Sequence, residues 1–184
     1  AEVTLIAAHT VKLPQPAGVV LEHVSTAEQL RQAVHEAAKS ADVVVMAAAV
    51  ADFRPASLAE HKIKKSDDRP DPTITLDRNA DILAELVANR VSGQVIVGFA
   101  AETGDEHGSV LDHARAKLKR KGSDLLVVNA VGDGKAFEVE DNSGWLLSAD
   151  GTERAIPLGA KSQLAATVWD AVVDFGTSPV GHGR

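Results

Sequence analysis

Short apolar runs rich in β-branched residues constrain this chain most. VTLIAA (residues 3–8), VVVMAA (43–48), VIVGFA (95–100) and LLVV (125–128) lie between stretches of helical periodicity. Runs of this length and composition read as strands covered on both faces. The second of these, VVVMAA, is read as a strand over 42–48, starting at Asp42. In the stretch after Thr26, Leu30, Ala33, Val34, Ala37 and Ala38 share one face, and Gln29 stands three residues after Thr26, a capping box. A second helix is predicted over 81–89, capped by Asn79 or Asp77, with Ile82, Leu83, Leu86 and Val87 inward. A third runs from about 109 to 121 and stops at Gly122; a last one starts at Ser162, with Leu164, Val168, Val172 and Phe175 inward. Strands alternating with helices predict an α/β fold, Rossmann-like, in three layers (α/β/α) around a mostly parallel sheet. Residues 19–24 read as a more polar strand nearer an edge, and 73–76 as a short strand. Gly132, Gly134, Phe137, Asp141 and Asn142 are assigned to a loop. Then 144–148, the Asp150-Gly151 turn and 152–157 predict a C-terminal β-hairpin. Residues 1–176 form the expected domain and 177–184 a flexible tail.

Composition narrows the function. A chain of 184 residues fits one domain, and 45% hydrophobic residues can build a real core. With 3% aromatics and no tyrosine, that core must be Ala, Val, Leu and Ile. A net charge of −7 argues against general affinity for nucleic acid or anionic membranes. The absence of cysteine excludes disulfides, thiolate metal sites and cysteine nucleophiles. No apolar run approaches the roughly 20 residues of a membrane span. Residues 1–8 read as a strand rather than a charged leader, so the expected location is cytoplasmic. The seven histidines are scattered without H-E-x-x-H, and no G-x-G-x-x-G, Walker A or G-x-S-x-G motif occurs.

Chemistry is expected at strand ends, because ligands of open α/β sheets bind beyond the carboxyl ends of the strands. After Met46 the chain turns to small residues, Ala47 to Ala51, which let a flat ligand approach the backbone, and then meets Asp52. Lys62, Lys64 and Lys65 follow on a predicted loop; such lysines are ordinarily solvated, but here they follow a strand end on the ligand side. Asn79, Ala80, Asp81 and Ile82 read as a helix start, able also to receive an anion. Gly98 within a strand suggests close approach, and Phe99 is either core or a platform for a base. Lys117 and Lys121, four apart, share one helix face; cations at a helix C-terminus are favourable without any ligand. Together these features suggest a nucleotide polyphosphate site.

The segments AAAVADFRP, KIKK, NADIL, VGFAAET and ARAKLKRKGSDLLVVN, with Phe137, Asp141 and Asn142 later, closely resemble the phosphopantothenate–cysteine ligase family, in order and spacing from about residue 1 to 173. The chain is similar to the bacterial type, which uses CTP and is commonly fused to a flavin-dependent decarboxylase half that carries FMN. The resemblance implies a Mg²⁺-assisted reaction. The carboxylate of 4′-phosphopantothenate attacks the α-phosphate of CTP, and cysteine then displaces CMP from the acyl-cytidylate. It assigns Lys62 to catalysis of acyl-cytidylate formation. It makes Met46, Ala47, Ala48, Asp52, Lys62, Asn79, Ala80, Asp81, Ile82, Phe99, Lys117 and Lys121 nucleotide contacts. Metal ligands are not identified. A homodimer is implied. The family's first strand, its Gly-containing loop and an N-x-S-S-G segment are expected ahead of Ala1, so these 184 residues alone are expected to be poorly stable and inactive in full turnover.

Two other classes fit parts of the pattern. One is an NAD(P)-dependent oxidoreductase, disfavoured by the missing Gly-rich fingerprint. The other is a non-enzymatic module whose basic stretch 115–121 docks an anionic partner or nucleic acid, disfavoured by the net charge.

Overall fold

A five-stranded sheet carries the structure, in the order β3 (Val43–Met46), β6 (Val95–Glu102), β7 (Leu125–Ala130), β8 (Asp141–Ser148), β9 (Glu153–Ala160). The computed structural model describes residues 1–10, 15–57, 59, 61, 73–130 and 141–177. β3, β6 and β7 pair in parallel, while β7, β8 and β9 pair antiparallel, so the sheet is mixed. Two small sheets accompany it: β1 (Val3–Ala8) parallel to β2 (Val19–Val24), and β4 (Phe53–Pro55) antiparallel to β5 (Leu76–Arg78).

The period-2 alternation of the central strands feeds two cores. On one face, Val95, Val97, Leu125, Val127, Leu146 and Ile156 pack under α4 (Lys161–Thr177), through Leu164, Val168, Ala171 and Val172. On the other, Leu126, Val128 and Leu147 meet Ala114 of α3 (Val110–Lys121). Ile96, Val44 and Met46 meet α1 (Ala27–Ala38) and α2 (Ile82–Ala88) through Leu30, Val34, Ile82 and Leu86. The three layers are therefore in place. Each such Val, Leu or Ile contributes about 1.5–3 kcal/mol on burial.

Local signals act as expected. Thr26 and Gln29 form the capping box of α1, and Ser109 with Asp112 forms another on α3. Gly122 ends α3 with φ 71°, and Gly151 closes the hairpin with φ 92°. Gly144 of β8 lies so close to β7 that a Cβ would fall 1.9 Å from the Val128 carbonyl oxygen. Pro157 stands in β9, the sheet's edge, where a missing N–H is tolerated.

Other expectations are corrected. β1 is not a buried strand: Val3 and Leu5 are 43% and 45% exposed, because β1 pairs with β2 alone. β3 is shorter than 42–48 and forms an edge, so Val45 is exposed. The short strand lies at Leu76–Arg78 rather than 73–76. Asp81, not Asn79 or Asp77, caps α2. Asp141 and Asn142 belong to β8, which pairs along its length with β9; Gly132, Gly134 and Phe137, like the tail beyond Thr177, lie outside the described residues.

Polar bonds lock the amino edge of the sheet. The Asp124 carboxylate accepts from Arg90 Nη1 (2.7 Å) and from the Ile96 amide (2.7 Å), and Arg90 Nη2 donates to the Gly122 carbonyl (2.9 Å). Buried Gln94 donates to the carbonyls of Ala38 (2.7 Å) and Ala41 (2.6 Å). At the surface, Arg115 forks onto Glu153, tying α3 to the hairpin. Glu85 of α2 accepts from Arg31 Nε (2.6 Å) and contacts His35 (3.1 Å) on α1.

Two outcomes follow. Asp124→Ala strands a partly buried guanidinium and a buried amide, and should lower unfolding free energy by about 3 kcal/mol in urea titrations; a loss under about 1 kcal/mol would contradict the locking role. The hydrogen bond from Arg31, opposed by desolvation and aided by His35, holds the Glu85 carboxyl below its ordinary value. A depressed carboxylate stabilises the fold above its unfolded pKa of about 4.3 and loses that contribution as pH falls through the folded value. Glu85→Gln should therefore be less stable at neutral pH and show a flatter acid limb; an unchanged pH profile would contradict it.

Candidate functional site

The carboxyl ends of β3 and β6 open into a cleft of about 490 Å³. Its floor is made of Met46, Ala48 and Phe99. Met46 is buried at the end of β3, and Phe99 is half-buried near the end of β6. Their placement follows from the parallel pairing, with Met46 opposite Gly98 in register. A Cβ at Gly98 would lie 2.7 Å from Leu83 Cδ2 and 3.1 Å from Leu126 Cδ1. The close approach expected at Gly98 is thus made by packed side chains, which let α2 settle against the sheet.

One wall is the loop Val50, Ala51 and Asp52, leading into Phe53 of β4. The opposite wall is Arg78, Asn79, Ala80, Asp81, Ile82 and Leu83. The β4–β5 ribbon joins them, pairing Phe53 with Arg78. Asn79 closes the join: its amide donates to the Asp52 carbonyl (2.8 Å) and its Nδ2 to the Ala51 carbonyl (2.8 Å). Its Oδ1 accepts from Arg54 Nη1 (3.0 Å). The Asn79 side chain is thus spent on shaping the site. At the start of α2, Asp81 Oδ1 accepts from the Ala84 amide (3.2 Å), satisfying one free helix donor.

The rim is charged. Arg120 and Lys121, at the end of α3, line the cleft, as does Arg78. Lys121 pairs with Asp81. Desolvation pushes the Asp81 carboxyl upward, but the Lys121 hydrogen bond, the Ala84 amide and the charges of Lys121 and Arg120 together bring it below its ordinary value. Lys117, one turn earlier, pairs with Glu102 at the end of β6; the Glu102 Oε1 involved is sealed from solvent, and the contact is ionic rather than a well-directed hydrogen bond. Arg78 lies 5.8 Å over the Phe53 ring centroid.

The cleft brings together Met46, Ala48, Asp52, Asn79, Ala80, Asp81, Ile82, Phe99 and Lys121 of the residues singled out by sequence. Ala47 and Lys117 do not line it. Lys62, Lys64 and Lys65 lie outside the described residues. Arg78 and Arg120 were not singled out; Arg120 lay within a basic run whose orientation the sequence does not reveal. Among the described residues no group of three or more His, Asp or Glu converges as a metal site. A smaller cavity of about 150 Å³ lies between the hairpin and α4, with Leu125, Leu146, Arg154 and Phe175 in its lining.

Asn79→Ala should raise amide exchange in the 51–54 loop and lower stability by about 1–2 kcal/mol. Unchanged exchange there would show that the loop holds its shape without it.

Comparison with known proteins places this geometry in a lineage. The chain matches the family described as "DNA/pantothenate metabolism flavoprotein C-terminal domain" over residues 1–175. It is 61% identical over 180 residues to the coenzyme A biosynthesis bifunctional protein CoaBC of Mycobacterium bovis, covering 95% of this chain and 43% of that protein. It is 41% identical over 169 residues to the CoaBC of Vibrio vulnificus, covering 91% and 41%. The chain thus spans less than half the length of these relatives. Among solved structures, it superposes on the C-terminal domain of a CoaBC protein with TM-score 0.73 at 29% identity, covering 93% of this chain and 72% of that one. The match runs through both strand ends and both walls of the cleft, and the chain belongs to the family of DNA/pantothenate metabolism flavoprotein C-terminal domains.

Proposed function

We propose that this domain ligates 4′-phosphopantothenate to cysteine with CTP, a step of coenzyme A biosynthesis. The observation that carries the reading is the cleft: an alanine-lined sheet end, open to a flat base and ribose, under a rim of basic side chains. The names of the relatives, coenzyme A biosynthesis bifunctional proteins, support the same assignment.

In this reading the 4′-phosphopantothenate carboxylate attacks the α-phosphorus of CTP, the bond to the β-phosphate breaks, and pyrophosphate leaves. The cysteine amine then attacks the acyl carbon, loses a proton, and expels CMP. Both reactants are anions, so the first step needs positive charge around the phosphates. Lys62 supplies it at the reacting phosphate, and Lys121 at the cleft rim. Lys117 reaches the phosphates only by leaving Glu102. The backbone near Ala48 and the Phe99 ring suit ribose and base, with Asp52 and the 79–82 turn beside them. Mg²⁺ typically takes one or two carboxylates and completes its shell with phosphate oxygens and water. Asp52 is the cleft carboxylate that fits such a role, since both Asp81 oxygens are taken by the Ala84 amide and Lys121; the ion would offset phosphate charge.

The domain spans residues 1–176 and works as part of a longer, cytoplasmic, homodimeric protein whose other half is an FMN-dependent decarboxylase. Among the described residues β1 pairs only with β2 and β3 only with β6, and side chains of both β1 and β3 lie in the apolar cluster around α1. Among the described residues no helix is long and apolar enough to cross a bilayer.

In the full-length protein, Lys62→Gln should leave thermal unfolding unchanged and reduce CTP-dependent pyrophosphate release by about 10²–10³-fold. Lys64→Gln should reduce it far less. Normal release in Lys62→Gln would remove Lys62 from catalysis, and NAD(P)-dependent hydride transfer without any CTP-dependent pyrophosphate release would remove the ligase reading.

A further inference from the structure

The cations around the cleft are not equivalent. Lys121 is neutralised by Asp81 and Lys117 by Glu102. Arg115, earlier on α3, is held by Glu153 and Asp112. Arg120 is exposed, lines the cleft, and among the described residues has no hydrogen bond or ion pair of its own. Arg78 lines the same space; its guanidinium lies 5.8 Å over the Phe53 ring, a contact with the ring face that takes up none of its N–H donors. A polyanion entering this cleft therefore meets two guanidinium groups before any ammonium that is free of a carboxylate, within the described residues. Guanidinium also suits phosphate better than ammonium does, since its planar fork donates two parallel hydrogen bonds.

We propose that Arg120, with Arg78 lining the same cleft, is a further polyphosphate-binding residue, gripping the pyrophosphate end of the nucleotide by bidentate hydrogen bonds. This rests on the nucleotide reading of the cleft. It gives α3 a division of labour. Lys121 is ion-paired with Asp81, whereas Arg120 acts on Asp81 only through its charge and keeps its N–H donors for phosphate. A cation in the last turn of a helix is favourable through the helix dipole alone. That bland role predicts a change in stability and no change in ligand binding.

The test is calorimetric titration of the full-length protein with three probes: CTP, inorganic pyrophosphate and cytidine. Arg120→Gln should weaken CTP and pyrophosphate by at least about tenfold, the scale of one lost charge-assisted bond, and leave cytidine binding as it was. Arg120→Lys should restore only part of that loss, because it returns the charge without the fork. Lys119→Gln, one position away, should change neither. Equal CTP and pyrophosphate affinity in wild type and Arg120→Gln would overturn the proposal while leaving the nucleotide reading standing. Full recovery in Arg120→Lys would overturn the bidentate grip. Arg120-dependent pyrophosphate binding with no cytidine binding and no gain in affinity from pyrophosphate to CTP would uphold the grip and remove the cytidine assignment. Wild-type protein that binds neither CTP nor pyrophosphate would overturn both.

Discussion

Burial of the parallel strands on both faces governs where this domain can do chemistry. Ile96, Val97, Leu126, Val127 and Val128 are 0% exposed, packed beneath α4 on one side and α1, α2 and α3 on the other. Helices that cover both faces of a sheet leave only its ends open, and parallel strands give those ends different characters. At the amino edge the structure closes itself, with Asp124, Arg90 and Gln94 taking up the backbone groups of the loops. At the carboxyl edge of β3 and β6 it stays open, with alanines and polar or basic side chains set around a floor that includes Met46 and Phe99. Stability and binding are thus separated along the strand axis.

The open end is also shaped by polar bonds, and these come from far apart in sequence. Asn79 holds the Ala51–Asp52 backbone, so the two walls of the cleft are one hydrogen-bonded unit. Lys121 and Lys117 of α3 are neutralised by Asp81 and Glu102. Such pre-pairing keeps a cationic site from repelling itself while empty, and in the proposed function an incoming phosphate competes with a carboxylate at these lysines. In that reading Arg120 and Arg78, which no carboxylate pairs with among the described residues, tip the competition.

Much of this was legible in the chain, for local reasons. The capping box at Thr26, the left-handed Gly122 and the Asp150-Gly151 turn act within a few residues, and each stands where short-range physics puts it; the second capping box, Ser109 with Asp112, emerged only in the structure. The strand ends were legible because apolar runs give way abruptly to alanines and Asp52. Edge status was not: β1 and β3 have the composition of covered strands, but their exposure depends on which strand pairs beside them. A short strand near β5 was legible, but β4 and its pairing with β5 were not, because three-residue strands paired across more than twenty residues leave no periodic trace. Lys117 and Arg120 show the same limit at the site. Helical spacing tells which residues share a stripe with Lys121, but only the docking of α3 on the sheet tells which of them faces the cleft.

The central claim is that the carboxyl end of β3 and β6 receives the nucleotide. Amide chemical-shift mapping of the full-length protein titrated with CTP tests it directly. The account predicts that shifts concentrate at residues 46–52, 78–83, 99 and 120–121. Shifts gathered instead around Arg154, Asp174 and Phe175, at the small cavity beneath the hairpin, would contradict it.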